Sequence, residues 1–326
     1  MTLKRLVILI VIFALALAVR LVDFNRLMTF GPEQAMSLLI SADYLTKPSL
    51  LGQPYWRYTA SGHQLFNSPM FNYSLLPLML LFKFDPVPVT GYFVLLNWLT
   101  GILVYVLFHK LIGHRTALIA TILFLFNNLM IFHSRFIWIV HYLPVLGLIS
   151  GYWLIKSRFR PGLWITFALG VASGIGWGLD YTYAFFAAPL FLLVFYFSRN
   201  KILTSAILLA GLVAGDLPRV IFDLRHGLYT MSSLLNYTLE TITHPGQGQI
   251  TYYHFFPFFP LLAIGAGWIL GRWKVVATVG VAAYLVFNLT SSITWATYPI
   301  SISAQKEAAR IIAEDRPANF NVAVLL

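Results

Sequence analysis

The chain contains no cysteine and little charge, and each shortage restricts what it can be. Without cysteine there is no disulfide, no thiolate metal site and no cysteine nucleophile. Charged residues make up only 10% of the 326 residues, whereas 59% are hydrophobic and the mean hydropathy is +0.77. Soluble domains carry about 25% charged residues. The composition therefore predicts a protein that crosses a membrane several times.

Acidic residues are also scarce, since 11 Asp and Glu stand against 22 Lys and Arg. The excess of positive charge is not concentrated in any Lys/Arg run. Instead, the basic residues stand in small groups between apolar stretches, a pattern that reflects membrane orientation. We expect membrane lipid as a partner and no nucleic acid.

About 20 consecutive apolar residues are needed to cross the hydrocarbon core. Nine stretches predict an all-α polytopic fold: about 3–22, 88–108, 116–133, 142–155, 162–179, 183–197, 202–217, 255–271 and 275–294. The first stretch has a short apolar run that contains Ala-Leu-Ala, so a signal peptide is the alternative to a retained anchor. We interpret it as an anchor.

A tenth stretch, 68–84, contains Pro69 and Pro77, and the charge distribution decides whether it crosses. If it crosses, every later basic group moves to the side opposite Lys4 and Arg5, against the positive-inside rule. If it does not cross, eleven basic residues share one side without any carboxylate: Lys4, Arg5, Lys110, Arg115, Lys156, Arg158, Arg160, Arg199, Lys201, Arg272 and Lys274. The sequence therefore predicts an interfacial or re-entrant helix over 68–84 and a cytoplasmic N-terminus. All eleven carboxylates then face outward.

The longest outer segment is the first loop, about 23–87. Within it, Gly31-Pro32 begins a helix with proline in its first turn. Apolar residues then recur at helical spacing, at Ala35, Leu38, Leu39, Ala42 and Leu45. Glu33, Gln34, Ser37 and Ser41 lie on another face. This pattern predicts an amphipathic helix on the membrane surface.

The transmembrane module is expected over 1–296, and 297–326 is expected to begin a small outer α/β domain. Its sequence predicts a helix over SAQKEAARIIAED and a strand over FNVAVLL. A lone apolar strand has no sheet to join. We therefore expect either that the sequence is truncated inside this domain or that a partner supplies the missing strands.

Glu33 is the leading candidate for chemistry because it stands at a helix N-terminus, where the helix dipole favours a negative charge. A helix-capping role is the alternative. Asp43 lies ten residues further, about 15 Å along the helix, so these two cannot form the carboxylate pair that glycoside hydrolysis usually needs.

No charged residue falls in the middle of a predicted span, as charges on a transport route commonly do. Arg20, Asp180 and Asp216 lie near the outer ends of their spans. We expect their side chains to reach toward the interface.

Basic side chains on the outer face form a second candidate set. They are Arg57, Arg135, Arg219, Arg225, His133, His141, His226, His244 and His254. Arginine binds phosphate bidentately, and the segment LPRVIFDLRHG concentrates Arg219, Arg225 and His226. Anchoring to lipid phosphates and pairing with Asp216 or Asp223 are the alternatives. His133 and His141 do not have a recognised metal-ligand spacing, so we expect no obligatory metal and leave a divalent ion open.

Several segments together resemble the GT-C membrane glycosyltransferases, in particular bacterial proteins similar to protein O-mannosyltransferases and aminoarabinose transferases. Within about 1–160 these segments are GPEQAMSLLISADYL, NSPMFNYSLLPL, LIGHRTALIATILFL and SRFIWIVHYLP. Beyond that region, the resemblance depends on topology and on LPRVIFDLRHG. It is a likeness of pattern rather than of one unique motif.

The resemblance implies transfer of a sugar from a polyprenyl-phosphate carrier to an acceptor hydroxyl at the outer face of the plasma (inner) membrane, with inversion of the anomeric carbon. It implies Glu33 as the base, where relatives usually have Asp followed by Glu; here Gln34 follows. Relatives have His-Pro-Pro or His-Gly-Pro where this chain has Asn67-Ser68-Pro69, and often Asp or Asn in place of His141. These departures leave metal participation and the acceptor open.

A phosphate leaving group needs cationic stabilisation but no general acid, so one carboxylate can suffice. On this expectation Arg219, Arg225 and His226 hold the phosphate. Arg57 and Arg135 position the donor or neutralise Glu33. Further substrate-binding candidates are Asp43, His141, Tyr252, Tyr253 and His254. The alternatives are a transporter or flippase of a polyprenyl-linked sugar and a non-catalytic protein that binds lipid-linked sugars.

Overall fold

The computed structural model describes residues 2–59, 62–243, 251–294 and 301–315. The helices in these ranges are α1 (Leu3–Leu21), α2 (Phe24–Leu27), α3 (Pro32–Asp43), α4 (Met70–Leu81), α5 (Pro86–Ile112), α6 (His114–Leu125), α7 (Asn128–His133), α8 (Leu143–Lys156), α9 (Leu163–Leu179), α10 (Ala184–Phe197), α11 (Lys201–Gly215), α12 (Leu217–Arg225), α13 (Tyr229–Thr243), α14 (Phe259–Leu270), α15 (Lys274–Thr294) and α16 (Ile302–Asp315). Three 3₁₀ turns cover Ile139–Tyr142, Tyr181–Tyr183 and Tyr252–Phe258. Two short strands, β1 (Pro54–Tyr58) and β2 (Gln64–Phe66), pair antiparallel in the first loop.

Apolar helices dominate the described part of the chain, which confirms an all-α membrane protein. Four stretches are long and apolar enough to cross a membrane: Pro86–Ile112, Ile139–Lys156, Tyr252–Leu270 and Lys274–Ser291. A fifth is added if α11 and α12, which are bent by 85°, form one broken span. Every predicted stretch contains a helix, but several of these helices are shorter than a full crossing. The number of nine spans therefore stays a prediction.

Helices α1 and α5 run antiparallel. Leu9 and Tyr105 share one apolar cluster near the start of α1. Further along α1, the Trp98 Nε1–H donates to the Phe13 carbonyl oxygen at 2.9 Å. Residues 22–85, including α4, therefore begin and end at the same end of the helical core.

The C-terminal helix α16 lies at that end too. The Lys306 Nζ is 2.6 Å from Asp85 Oδ1, just before α5. The Gln305 side chain donates to the Phe30 carbonyl oxygen at 3.2 Å. The helix predicted for SAQKEAARIIAED is thus confirmed as α16, whereas the predicted strand over 320–326 lies outside the described residues.

Helices α9 and α11 are parallel and touch through glycines. The glycines at the contact are Gly170, Gly174, Gly211 and Gly215. A methyl group on Gly174 would lie 2.1 Å from the Leu212 carbonyl oxygen, so the backbones approach closely only because that group is absent. Asp180 and Asp216 directly follow these two parallel helices. They therefore lie at the same end of the molecule.

Helix α3 turns its polar face inward. Ser37 and Ser41 are buried, while Leu39 is 67% exposed. The fully buried Asn72 of α4 donates to the Ser37 carbonyl oxygen at 3.2 Å and to Ser41 Oγ at 3.1 Å. The internal contacts of α3 are thus made by polar residues together with Leu38, which belongs to the main apolar cluster, and Leu39 is left on the exposed side.

The expectation that Arg20, Asp180 and Asp216 reach toward the interface is wrong. Their exposed fractions are only 0%, 7% and 4%. Arg20, for example, donates to the Asn97 Oδ1 at 2.8 Å and to the Ala16 carbonyl oxygen at 2.8 Å. Oxygen acceptors inside the protein replace water around the guanidinium, so its burial is tolerated.

Candidate active site

A cavity of about 720 Å³ opens between the first loop, the 3₁₀ turns, α10 and α13. Its aromatic lining comes from Tyr55, Trp138, Trp177, Tyr181, Phe185, Tyr237 and Tyr253. Its polar lining comes from Glu33, Gln53, Asn67, Asp180, Thr182, Thr238, Thr241, Thr251 and His254. A volume of this size is typical of a site for a small molecule or for the headgroup of a lipid.

Glu33 lies in this cavity, in the first turn of α3. The Gln34 side chain accepts from the Gly31 backbone N–H at 2.9 Å and orders the helix start. The Ser37 hydroxyl contacts the Glu33 carbonyl oxygen at 2.9 Å and Gln53 Oε1 at 2.8 Å. These contacts fix the first turn of α3, which carries Glu33, against the first loop.

A second carboxylate in the cavity, that of Asp180, was not among the predicted site residues. Its Oδ1 accepts from the Thr182 backbone N–H at 2.8 Å and from the Thr182 hydroxyl. Its Oδ2 accepts no hydrogen bond from the residues that the structure describes. Burial raises the pKa of the Asp180 carboxyl above its ordinary value, and the Thr182 hydrogen bonds oppose that rise. One oxygen is thus held in place while the other is available to a ligand.

His254 and Tyr253, two of the candidates for substrate binding, line the same cavity. The Thr251 backbone N–H donates to His254 Nδ1 at 3.1 Å, so the neutral ring carries its proton on Nε2. The Tyr253 ring packs edge-on against Trp138 at 4.6 Å between centroids. This turn is pressed onto α8, where a methyl group on Gly147 would lie 2.0 Å from the Pro257 carbonyl oxygen.

Arg219 lies behind the cavity wall rather than in it. Its side chain is ion-paired with Asp216 and is only 3% exposed. Its guanidinium also lies 4.6 Å from the ring centroid of Tyr181, which does line the cavity. The alternative interpretation, pairing with an aspartate, is therefore confirmed for Arg219 and Asp216. Asp223 instead accepts from the Thr230 backbone N–H at 2.7 Å.

Arg225 and His226 are exposed at the end of α12. The His226 ring stacks on Phe222 at 4.1 Å between centroids. Neither side chain lines the cavity.

Four further candidates lie outside the cavity or outside the described residues. Arg135 is buried and donates to the carbonyl oxygens of Val19 at 2.7 Å and Arg20 at 3.2 Å. Asp43 is exposed at the far end of α3 and does not line the cavity. Arg57 belongs to β1, but its side chain lies outside what the structure describes, as does all of His244.

His133, His141 and Tyr252 form an aromatic cluster beside the cavity. The His133 Nε2 is 3.0 Å from the Tyr252 hydroxyl. The His141 ring packs against Phe93 and Phe136. Within the described ranges, no group of three or more His, Asp or Glu side chains could hold a metal ion.

A second cavity, of about 400 Å³, adjoins the first and is lined by Phe185, Phe255, Phe258 and Leu262. Phe185 lines both cavities. The larger cavity, with its polar groups, and the smaller apolar cavity thus share one side chain.

Comparison with models of protein families, with curated proteins and with solved structures gives no match. The class that the fold and the site define is a helical membrane protein with an aromatic-lined cavity that contains two carboxylates and a histidine.

Proposed function

We propose that this protein is a GT-C-type glycosyltransferase with nine transmembrane spans. It moves a sugar from a polyprenyl-phosphate donor to an acceptor hydroxyl at the outer face of the plasma membrane. In this reaction Glu33 accepts the hydroxyl proton while the acceptor oxygen bonds to the anomeric carbon. The bond from that carbon to the phosphate oxygen breaks, and its electron pair leaves with the polyprenyl phosphate.

The observation that carries the proposal is the position of Glu33 in a cavity walled by tyrosine and tryptophan rings. A sugar has apolar ring faces and a polar rim, so it suits a pocket that combines aromatic surfaces with a few convergent polar groups. A carboxylate in such a pocket can act as a general base when it reaches the acceptor hydroxyl. The helix-capping role considered for Glu33 does not require a cavity.

The adjoining apolar cavity supports a lipid-linked donor over a soluble one. Its Phe and Leu lining offers no hydrogen-bonding side chain to a sugar, but it suits an isoprenoid chain. A donor with its sugar in the larger cavity and its first isoprene units in the apolar one would pass Phe185, which both cavities share.

The antiparallel course of α1 and α5 supports the proposed topology. Because α1 and α5 are antiparallel, residues 22–85 start and finish at the same end of the helical core. The charge distribution requires this arrangement if 68–84 does not cross the membrane. The contact of α16 with Asp85 likewise supports a C-terminal segment on the same side as the cavity.

Stabilisation of the departing phosphate is assigned to two exposed basic side chains, Arg225 and His226, because Arg135 and Arg219 are held inside the protein. Helix α12, which carries these cations, leads through Gly227 into α13, whose residues Leu234, Tyr237 and Thr241 line the cavity. Arginine suits this role because it binds phosphate oxygens bidentately.

The test is transfer activity of purified protein with a short-chain polyprenyl-phosphate sugar and membrane acceptors. Glu33→Gln and Glu33→Ala are expected to lower the rate by about 10²- to 10⁴-fold, the usual contribution of a general base. Asp43→Asn is the matched control, since Asp43 is an exposed carboxylate of the same helix outside the cavity. Full activity of Glu33→Gln in correctly folded protein would contradict the mechanism. Sugar movement across vesicles without product would indicate a flippase instead.

A further inference from the structure

Two buried aspartates, Asp180 and Asp223, each accept two hydrogen bonds from one threonine, but the two bonds are distributed differently over the carboxylate oxygens. Asp223 uses both oxygens on Thr230, Oδ1 on its backbone N–H and Oδ2 on its hydroxyl. Asp180 receives both bonds from Thr182 on Oδ1 alone. In the described part of the chain, Asp180 Oδ2 therefore accepts nothing, although the residue is only 7% exposed.

Asp180 Oδ2 has no hydrogen-bond partner in the described chain, yet it is not a fully buried atom, so a group in the cavity can reach it. Asp180 directly follows α9, whose glycines pack against α11. Asp180 lines the cavity, whereas Asp223 does not. The missing partner is thus expected to come from a ligand in the cavity.

His254 contributes a donor to the same cavity. Since the Thr251 N–H occupies Nδ1, the neutral ring presents only its Nε2–H to a ligand. Asp180 and His254 lie close enough to interact electrostatically and line one cavity. A hydroxyl group can donate to one partner and accept from another at the same time, which is what this pair offers.

We propose that Asp180 and His254 bind a hydroxyl group of the donor sugar, with Asp180 Oδ2 accepting its proton and His254 Nε2–H donating to its oxygen. This inference rests on the proposed function and names how the same cavity recognises the sugar. Asp180 is accordingly a specificity-determining residue and not the base. A donor that lacks the hydroxyl would leave both Asp180 Oδ2 and the His254 Nε2–H without their ligand partner, which is a basis for discrimination.

The experiment compares the binding of short-chain polyprenyl-phosphate hexoses and pentoses with the binding of the same polyprenyl phosphate without sugar. Fluorescence of Trp138 and Trp177, which line the cavity, reports binding without any need for turnover. The wild type is expected to prefer at least one sugar-bearing lipid. Asp180→Asn, which replaces an acceptor by a donor at Oδ2, should lower that preference by about ten- to a hundredfold.

The control is Asp223→Asn, which changes an equally buried aspartate outside the cavity and should leave the preference unchanged. Binding of the sugar-free lipid phosphate should be the same in all variants, which shows that they are folded. The inference is overturned if Asp180→Asn keeps the wild-type preference, or if both asparagine variants lose it equally. It is also overturned if the wild type prefers no sugar.

Glu33→Gln separates this inference from the proposed reaction. Loss of transfer with retained sugar preference in Glu33→Gln supports both. Retained transfer in Glu33→Gln, together with lost preference in Asp180→Asn, overturns the base assigned to Glu33 but leaves the sugar-binding role of Asp180 intact.

Discussion

Two groups of charged side chains lie at the end of the molecule that carries the cavity, and their polar atoms face different partners. In the arginine group, Arg20 and Arg135, the guanidinium groups donate to backbone carbonyl oxygens and an asparagine side chain. In the carboxylate group, Glu33 and Asp180, the side chains line a cavity of about 720 Å³. Burial of a charge therefore does not identify a functional site. The two groups differ in what their polar atoms face: protein oxygen atoms for the arginines, and the cavity for the carboxylates.

The largest effect is expected where the carboxylate group is supported, at the contact of α9 and α11. Gly174→Leu would force a side chain into the Leu212 carbonyl oxygen, 2.1 Å from the first added carbon. Overpacking against backbone should cost about 3 kcal/mol or more. Gly280→Leu is the control, because nothing lies within 4 Å of the corresponding carbon. Thermal unfolding of the two variants in detergent measures the difference, and equal stability would contradict the glycine contact.

Arg135→Ala tests whether the arginine group is structural. Removing the guanidinium leaves the carbonyl oxygens of Val19 and Arg20 without these donors in a buried position, at a cost of about 2–4 kcal/mol for the two. The exposed Arg225 gives the matched control, since Arg225→Ala should change stability by no more than about 0.5 kcal/mol. Unchanged stability in Arg135→Ala combined with lost sugar binding would instead return Arg135 to the binding site.

The sequence predicts a charged residue of these two groups well when its contacts are local in the chain, and poorly when they come from distant segments. Glu33 could be found because its signal is local, a Gly-Pro helix start after an apolar stretch. The carbonyl oxygens that bind Arg135 lie 115 and 116 residues away, so no pattern reveals them. The local sequence places Asp180 only at the end of a predicted span. Its role in the cavity is not visible there, because other residues of the cavity come from the first loop and from 251–254.

One signal was present in the sequence and was missed. Gly170 and Gly174 are four residues apart, as are Gly211 and Gly215. Small residues at this spacing in two apolar helices predict a close helix pair. That pairing would have brought Asp180 and Asp216 to one end.

Substitution of Asp180 should affect stability differently from substitution of Arg135. Burial raises the pKa of Asp180, so its charged form is disfavoured in the folded protein. Asp180→Asn keeps the bonds from Thr182 and removes a charge that burial disfavours, so it should not lower stability at neutral pH. Because the folded-state pKa is above the unfolded value, the wild type should gain stability over this variant as the pH falls from neutral toward 3.8. Unfolding curves at several pH values measure this gain, and a constant difference between the two proteins would contradict it.

The smallest effect is expected for a charge that belongs to neither group, the ion pair of Lys306 with Asp85. Both side chains are more than 40% exposed, so water screens their attraction. Partial burial opposes ionisation of Asp85, but the hydrogen bonds from Lys306 and the Val87 backbone N–H, together with the charge of Lys306, lower the pKa of that carboxyl. Lys306→Ala should cost less than about 1 kcal/mol, and the cost should shrink in high salt.

Because Gln305 also ties α16 to Phe30, this helix should stay attached, and limited proteolysis of α16 measures that directly. Lys47→Ala, which removes another exposed lysine, is the control. If Lys306→Ala exposes α16 to protease and Lys47→Ala does not, the Lys306–Asp85 pair stabilises the protein more than an exposed ion pair should, and the prediction is contradicted.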